Sequence, residues 1–176
     1  VLKDIYAGAN SGYYGFDMVF SGGVALFIAN NGTGWKLWRT DGTEANTTLY
    51  DASLSSNAKA SGLGFLKSSG GNTYFMNGTD PKVNLGANPL AAFAVSANGR
   101  IFYFAGTGTG ASLFSTDGLT SRNHIDLDSS TTSWSYRGMI ASNSGVYFQV
   151  KSAATGWELY FHDGSTGAPV FLGDNN

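Results

Sequence analysis

The 176-residue chain contains no cysteine, and only 12% of its residues are charged, about half the usual share. The absence of thiols excludes disulfides, thiolate metal sites and cysteine nucleophiles together. The net charge is −2 and no cluster of lysine or arginine is present, so the electrostatic footprint of a nucleic-acid-binding protein is missing. The longest apolar runs, such as 24–29, fall far short of the ~20 residues of a membrane helix. We therefore expect neither a nucleic-acid partner nor membrane insertion.

Glycine, serine, threonine and asparagine replace the missing charges, while apolar residues still make up 42% of the chain. Such a sequence can bury a core, and its polar, nearly uncharged surface is typical of extracellular β proteins and unfavourable for helices. We expect a single domain, residues 1–176, in a secreted or cell-surface protein. No signal peptide is visible, and the chain begins inside a strand-like run, 1–5, which indicates a processed or partial chain. The alternative is a cytoplasmic protein written without its methionine.

An internal repeat is the strongest signal in the sequence. Three ten-residue segments, 33–42, 109–118 and 155–164, share the pattern Thr-Gly-x-x-Leu-aromatic-x-x-Asp-Gly. The Asp-Gly pairs are turn dipeptides, because glycine adopts positive φ freely and aspartate tolerates it. The adjacent leucine and aromatic residue point to opposite faces of a strand, so both faces should be buried. The predicted structural turn residues are Asp41, Gly42, Asp117, Gly118, Asp163 and Gly164.

Short runs rich in β-branched and aromatic residues flank each copy of the pattern, so each unit predicts four antiparallel strands. The spacing of 76 residues between Asp41 and Asp117 leaves room for a further unit, which keeps its turns but is predicted to lack one strand. Repeats of this length with four strands are typical of β-propeller blades. The sequence therefore predicts an all-β array of about four blades, one of them degenerate, with approximate bounds 6–50, 51–86, 87–128 and 129–174.

Residues 35–47, Trp-Lys-Leu-Trp-Arg-Thr-Asp-Gly-Thr-Glu-Ala-Asn-Thr, resemble the "ELWxxDGTxxGT" repeat of large bacterial surface and secreted proteins. Residues 1–8 resemble the strand that follows this repeat, and 157–160 match its start. The sequence departs from the repeat at Lys36 and at 119–120. The resemblance implies a β-propeller on an exported protein, and it brings no agreed activity and no catalytic residues.

If residues 1–5 form the outer strand of a blade, the rest of that blade is missing. The chain is then part of a larger propeller, or one partner of an assembly that closes the ring. A ring of four blades that closes on itself is the alternative.

No cluster of residues predicts catalysis, a metal site or a cofactor. A turn role for the three repeated aspartates outweighs a calcium site, because no loop brings several oxygen ligands together. Asp126 and Asp128 are the nearest approach to such a loop. The two histidines, His124 and His162, are interpreted as solvated strand residues.

Four aromatic residues are candidates for stacking on sugar rings: Trp35, Trp157, Trp38 and Tyr160. Packing between blades is the stronger interpretation of these residues and of Trp134. We thus expect a non-enzymatic structural or adhesive module that contacts other protein chains or copies of itself. A lectin-like propeller that binds a glycan is the alternative, and a hydrolase is disfavoured because no acid, base and nucleophile converge.

Overall fold

The computed structural model describes residues 2–8, 13–53, 58–79, 81–87, 90–106, 112–126, 136–152 and 156–174. Within these ranges the regular structure is entirely β and includes no helix, and therefore none that could span a membrane. The described strands are β1 (Tyr13–Ser21), β2 (Val24–Asn30), β3 (Trp35–Thr40), β4 (Thr48–Asp51), β5 (Lys59–Ser61), β6 (Gly64–Ser69), β7 (Asn72–Met76), β8 (Val83–Asn84), β9 (Leu90–Ala97), β10 (Arg100–Ala105), β11 (Ser112–Thr116), β12 (Ser121–Asp126), β13 (Tyr136–Ser142), β14 (Gly145–Ser152), β15 (Gly156–His162) and β16 (Val170–Asp174).

The strands form four antiparallel sheets, each made of four consecutive strands in chain order. Sheet 1 is β1–β4, sheet 2 is β5–β8, sheet 3 is β9–β12 and sheet 4 is β13–β16. Tight turns join neighbouring strands, as at the hairpin where Ser21 pairs with Val24. The prediction of an all-β array with four units of short antiparallel strands is confirmed.

Sheet 2 corrects the prediction that one unit lacks a strand. Its first strand, β5, pairs with β6 through Lys59, Ala60 and Ser61, and its last strand, β8, has only two residues. The sequence of β5 has no β-branched or aromatic residue, so it carries no strand signal. Pairing with β6 and packing of Ala60 against the core between sheets 1 and 2 hold the segment extended instead.

The N-terminal segment corrects a second prediction. Residues 2–5 form no strand, and Val1 lies outside the described residues. The Lys3 Nζ donates a hydrogen bond of 2.7 Å to the Thr47 carbonyl, and the ring of Tyr6 packs beside Gly32. The segment is thus tied to sheet 1 by a side chain and a ring, and not by backbone pairing.

The sheets pack in series, with one apolar core at each boundary. Sheets 1 and 2 enclose a core that includes Leu26, Leu37, Phe65 and Met76. Sheets 2 and 3 enclose a second, which includes Leu66, Phe75, Ile101, Tyr103 and Phe114. Sheets 3 and 4 enclose a third, which includes Phe102, Phe104, Leu113, Tyr136, Val146 and Phe148. The first strands β1, β5, β9 and β13 are neighbours in that order, so consecutive sheets approach each other along their first strands.

The sheets are oriented in the same way at every boundary. Leu37 packs into the core toward sheet 2, and Leu113 packs into the core toward sheet 4. The neighbouring aromatic residue points the opposite way, as Phe114 does toward sheet 2. We call the face with the motif leucine the front face of a sheet and the opposite face its back face. In sheet 2, which lacks the motif, the face that meets sheet 3 is the front face and the face that meets sheet 1 is the back face.

The prediction that both faces are buried holds for sheet 3. In sheet 1 the motif residues Leu37 and Trp38 are buried, but other side chains of the back face are exposed. Leu159 and Tyr160 of sheet 4 are only half-buried.

Candidate functional site

The front face of sheet 4 carries a row of apolar side chains that crosses all four strands. These residues pair in register from one strand to the next: Ile140, Tyr147, Phe161 and Val170. Ile140 is 67% exposed, and Tyr147 and Val170 are exposed as well. The rings of Tyr147 and Phe161 lie 5.0 Å apart, so the row is continuous at its centre. Alternation along β15 places Trp157 and Leu159 on the same face.

The back face of sheet 1 carries the corresponding row at the other end of the array. It consists of Met18, Phe27, Trp38 and Leu49, which also pair in register across four strands. Met18 and Leu49 are exposed, and Phe20, on the same face of β1, is 71% exposed. Scattered apolar side chains are ordinary on a protein surface, but contiguous rows mark contact sites. The front face of sheet 4 and the back face of sheet 1, which we call the two end faces, are therefore candidate contact surfaces.

The predicted sugar-stacking residues fall into two groups. Trp35 is 41% exposed and Trp157 is half-buried, and the two occupy equivalent positions at the start of β3 and β15. Trp38 is buried, with 9% of its surface exposed, as expected for a packing residue, and stacking on a sugar stays a prediction for it. Tyr160 stacks on Phe148 and meets Phe171 edge-on, and its hydroxyl donates to Glu158. Trp134 and Asp128 lie outside the described residues.

The indole of Trp38 has an unusual polar environment for a buried tryptophan. Its Nε1–H is buried and has no acceptor within the described part of the chain. Buried tryptophan N–H groups usually find a partner. The back face of sheet 1 thus combines exposed apolar side chains with a donor for which the described residues supply no acceptor.

The repeated aspartates each organise their own turn. The Oδ1 atoms accept backbone hydrogen bonds at 2.9, 2.9 and 2.8 Å from the residues two positions onward; the pairs are Asp41–Thr43, Asp117–Leu119 and Asp163–Ser165. Hydrogen bonds from the Thr43 side chain, the Asn46 side chain and the Thr43 backbone lower the pKa of Asp41, which therefore stays ionised. In the described residues no three acidic or histidine side chains come together as metal ligands.

A shallow depression of about 260 Å³ lies beside the first of these turns. Its lining residues are Val24, Arg39, Asp41, Asn46 and Thr48. The Asn46 Nδ2 donates to the Asp41 Oδ2 at 2.6 Å, so the polar wall of the depression is already paired. None of the four predicted stacking residues lines it.

The two histidines meet at the boundary between sheets 3 and 4, which corrects their interpretation as solvated strand residues. The rings of His124 and His162 have centroids 3.9 Å apart, and His162 is almost fully buried. Phe102 stacks on His124 and lies tilted against His162. The repeat held a signal for this placement, since His162 occupies the position of Thr40 and Thr116, which are both buried.

Hydrogen bonds fix His162 as a neutral ring. The Gly164 backbone N–H donates to its Nδ1 at 2.8 Å, and its Nε2 lies 3.0 Å from the Gly167 carbonyl, to which it donates. Burial lowers the pKa of His162, although the Gly167 hydrogen bond and Asp163 oppose this shift. Burial also lowers the pKa of His124 to about 4, assisted by the adjacent ring of His162 and by the positive charges of Arg100 and Arg122, and opposed by Asp163.

His124 also contacts a serine, which is a pair of groups used in nucleophilic catalysis. Its Nε2 lies 2.7 Å from the Oγ of Ser115, and the Arg100 Nε donates to the same oxygen at 2.8 Å. Ser115 is completely buried, however, so a substrate does not reach its oxygen. A nucleophile needs an accessible position beside the reacting atom. The pair therefore stabilises the boundary.

A second polar cluster lies at the boundary between sheets 1 and 2. The Oδ2 of Asp51 lies 2.9 Å from Lys67 Nζ and 2.9 Å from Lys82 Nζ, and its Oδ1 accepts from the backbone N–H and hydroxyl of Ser53. Asp51 and Lys67 are both buried. The sequence does not predict this cluster, because the lysine and serines that end β6 are typical of a strand that is partly exposed to solvent.

Comparison with known proteins gives a likeness of fold. No protein-family model matches the sequence, and no curated protein matches it. Among solved structures the chain is similar to the Pyrococcus horikoshii acylaminoacyl peptidase, in its orthorhombic crystal form, with a TM-score of 0.56 and 13% sequence identity. The match covers 91% of this chain and 27% of that chain, so the chain spans about a quarter of the peptidase. At this identity the likeness shows the fold alone: an all-β array of four-stranded sheets similar to part of that peptidase.

Proposed function

We propose that the chain is a non-enzymatic β-propeller module of an exported protein, which contacts other protein chains through its two end faces. Four-stranded meanders that pack in series along their first strands are the arrangement of propeller blades. The resemblance of 35–47 to the repeat of bacterial surface and secreted proteins supports export. The low charge, with 12% charged residues, suits a contact surface outside the cell.

The exposed apolar rows on the end faces carry this proposal. The leucine of the motif is completely buried in sheets 1 and 3, where another sheet covers the front face, and only half-buried in sheet 4. The end faces therefore present side chains of the kind that the internal boundaries bury. Covering them removes apolar surface from water at about 25 cal/mol per Å² before the costs of association.

The polar clusters support a non-enzymatic role. The buried Ser115 is sealed by Arg100 and His124, and the repeated aspartates are used in turns. The likeness to part of a peptidase makes hydrolysis the activity to test. We expect no hydrolysis of acylated peptides by the purified chain, and Ser115→Ala should leave any background rate unchanged. Turnover that this variant abolishes would contradict the proposal.

Surface plasmon resonance tests the proposed contacts. The chain is immobilised, and the analytes are the chain itself, a panel of purified extracellular proteins and a panel of glycans. We expect binding of protein that falls at least tenfold when Met18→Glu and Ile140→Glu are introduced together. Glycan binding without protein binding would contradict the proposal, and so would protein binding that these changes leave intact.

A lectin is the second candidate, because Trp35 is exposed beside the polar turn 31–34. In that case Trp35→Ala removes glycan binding while the melting temperature stays unchanged. Trp157→Ala tests the equivalent position on the front face of sheet 4. Protein binding that survives both changes, with an empty glycan panel, would exclude the lectin.

A further inference from the structure

We infer that the partner of the end faces is a second copy of this chain, bound head to tail. The front face of sheet 4 in each copy covers the back face of sheet 1 in the other. This inference rests on the proposed function and names the partner at the same surfaces.

The direction of the internal boundaries supports this pairing. At each described boundary the front face of one sheet meets the back face of the next, as where Leu37 of sheet 1 shares a core with Phe65 of sheet 2. The four described sheets therefore leave one face of each kind uncovered. A front face has the side-chain pattern that fits a back face, and a second copy offers that back face with the same spacing.

The tight turn that follows the third strand of each sheet shows independently that every sheet packs on the one before it in the same orientation. Each turn glycine in sheets 2, 3 and 4 packs closely on the preceding sheet, so that an added methyl group would clash. On Gly118 it would lie 2.7 Å from the ring of Phe75, on Gly164 it would lie 3.0 Å from the ring of Phe102, and on Gly78 it would overlap Val24. The equivalent turn of sheet 1 has no such neighbour, since a methyl group on Gly42 would meet nothing within 4 Å.

The repeat also indicates which uncovered residues would meet in a head-to-tail pair. In sheet 3 Phe102 pairs with Ser115, and in sheet 4 Tyr147 pairs with Phe161. Ser115 and Phe161 occupy equivalent positions of the repeat. Tyr147 thus occupies in sheet 4 the place of Phe102, on which the turn of the following sheet packs. In a head-to-tail pair the open turn at Gly42 lies over Tyr147 of the second copy.

The first strands show the same match. Val95 pairs with Phe102 in sheet 3 as Ile140 pairs with Tyr147 in sheet 4. Val95 packs against the core between sheets 3 and 4, whereas Ile140 is exposed. A second copy would cover Ile140 with the exposed Met18 and Phe20 of its β1. The N-terminal segment contacts sheet 1 at Thr47 and Gly32, and it leaves these β1 side chains exposed.

Two copies that make this contact twice form a closed ring of eight sheets. A head-to-tail contact closes into a ring when its rotation allows, and otherwise continues as a filament. Eight blades is within the usual range of about four to eight for propellers. Closure covers both end faces of both copies, so neither of the two apolar rows stays exposed.

Sedimentation equilibrium with two single-face variants tests the inference. The back-face variant carries Met18→Glu and Phe20→Glu, and the front-face variant carries Ile140→Glu and Tyr147→Ser. All four side chains are exposed, and circular dichroism checks that both variants fold. We expect twice the chain mass of 18.5 kDa for the unchanged chain and 18.5 kDa for each variant alone. An equimolar mixture should regain the doubled mass, because one intact front face meets one intact back face.

Leu119→Glu is the matched control, since this side chain is 77% exposed on a turn of the internal sheet 3 and should keep the doubled mass. Doubled mass in either variant alone would indicate a symmetric contact and overturn the head-to-tail arrangement, and a series of larger species would overturn the closed ring. An unchanged chain that stays at 18.5 kDa would overturn the second copy as the partner. The proposed function fails separately, when the immobilised chain binds neither a second copy of itself nor any protein of the panel.

Discussion

The boundary between sheets 1 and 2 and the boundary between sheets 3 and 4 use opposite polar chemistry within similar apolar cores. The first buries ions, with Asp51 between Lys67 and Lys82. The second buries a pair of neutral histidines, His124 and His162. The repeat therefore fixes the apolar packing and leaves the polar edge of each boundary free to vary.

At the boundary between sheets 1 and 2, which we call the ionic boundary, the opposite charges compensate each other. Burial alone would raise the pKa of Asp51, but hydrogen bonds from Lys67, Lys82 and Ser53 outweigh it and hold the pKa far below the usual value. Tyr50 extends the contact, since its hydroxyl donates to the Thr79 carbonyl at 2.6 Å and the Arg39 guanidinium lies 5.3 Å from its ring centre. The histidine boundary instead depends on both rings remaining uncharged.

The largest expected effect is at the ionic boundary. Asp51→Asn leaves the buried Lys67 ammonium without its counter-charge, and we expect a loss of about 3–5 kcal/mol in the free energy of unfolding. Urea denaturation measures it. Asp41→Asn is the control, because the Asp41 carboxylate is exposed on a turn, and it should cost far less. Equal losses in both variants would show that the Asp51 cluster contributes nothing special.

Replacing both charged residues of the buried ion pair tests whether the charges themselves stabilise this boundary. Asp51→Leu with Lys67→Met replaces buried charges with apolar groups of similar volume, which is often neutral or stabilising in buried pairs. We expect the double variant to be more stable than Asp51→Asn by about 1–2 kcal/mol or more. A double variant as unstable as the single one would mean that Lys82 and Ser53 dominate the cluster.

Mild acid should affect the histidine boundary first. The pKa of His124 is about 4 in the folded chain and 6.5 for a free side chain, so between these values the unfolded chain binds more protons. Stability is therefore retained above pH 6.5 and lost as the pH falls toward 4, by roughly 1–2 kcal/mol after allowance for solvent screening. Asp51, whose pKa is lowered, loses its contribution only below the usual aspartate range.

Urea midpoints measured from pH 7 to pH 4 check this order. His124→Phe should flatten the profile in that window, whereas Asp51→Asn should leave its slope unchanged. The groups that affect the pKa of this histidine are the charged Arg100, Arg122 and Asp163 and the adjacent ring of His162. A flat profile for the unchanged chain would show that the rings accommodate a proton without cost.

The last effect, no larger than the loss in mild acid, is expected at Ser115. Ser115→Ala removes the acceptor of the Arg100 Nε and the partner of His124, at a cost of about 1–2 kcal/mol for the unsatisfied groups. Thermal unfolding measures it, with Ser144→Ala as an exposed control. A neutral result would indicate that water replaces the hydroxyl.

The repeat predicts most of the fold, because its pattern reports strand alternation directly. The sequence shows the sheets through the motif leucines and aromatic residues, and it places the three Asp-Gly turns. It misses β5, whose residues Lys59–Ser61 are extended by pairing and not by propensity. It also places a strand at residues 2–5, where only the Lys3 side chain ties the segment to sheet 1. The number of blades in a closed ring stays a prediction.

The polar clusters and the end faces could not be predicted to the same extent. His124 and His162 are separated by 38 positions, and only their register on facing sheets brings the rings together. Trp38 is buried although it lies on the back face of sheet 1, and Trp35 is exposed although it lies on the same face as the buried Leu37. The repeat alone does not specify either outcome.

Light scattering during size-exclusion chromatography, over a wide range of concentration, tests the end faces most directly. The account predicts a mass that rises from 18.5 kDa to twice that value, and a constant 18.5 kDa for a variant with Met18→Glu and Ile140→Glu together. Identical masses for the unchanged chain and this variant at every concentration would contradict it.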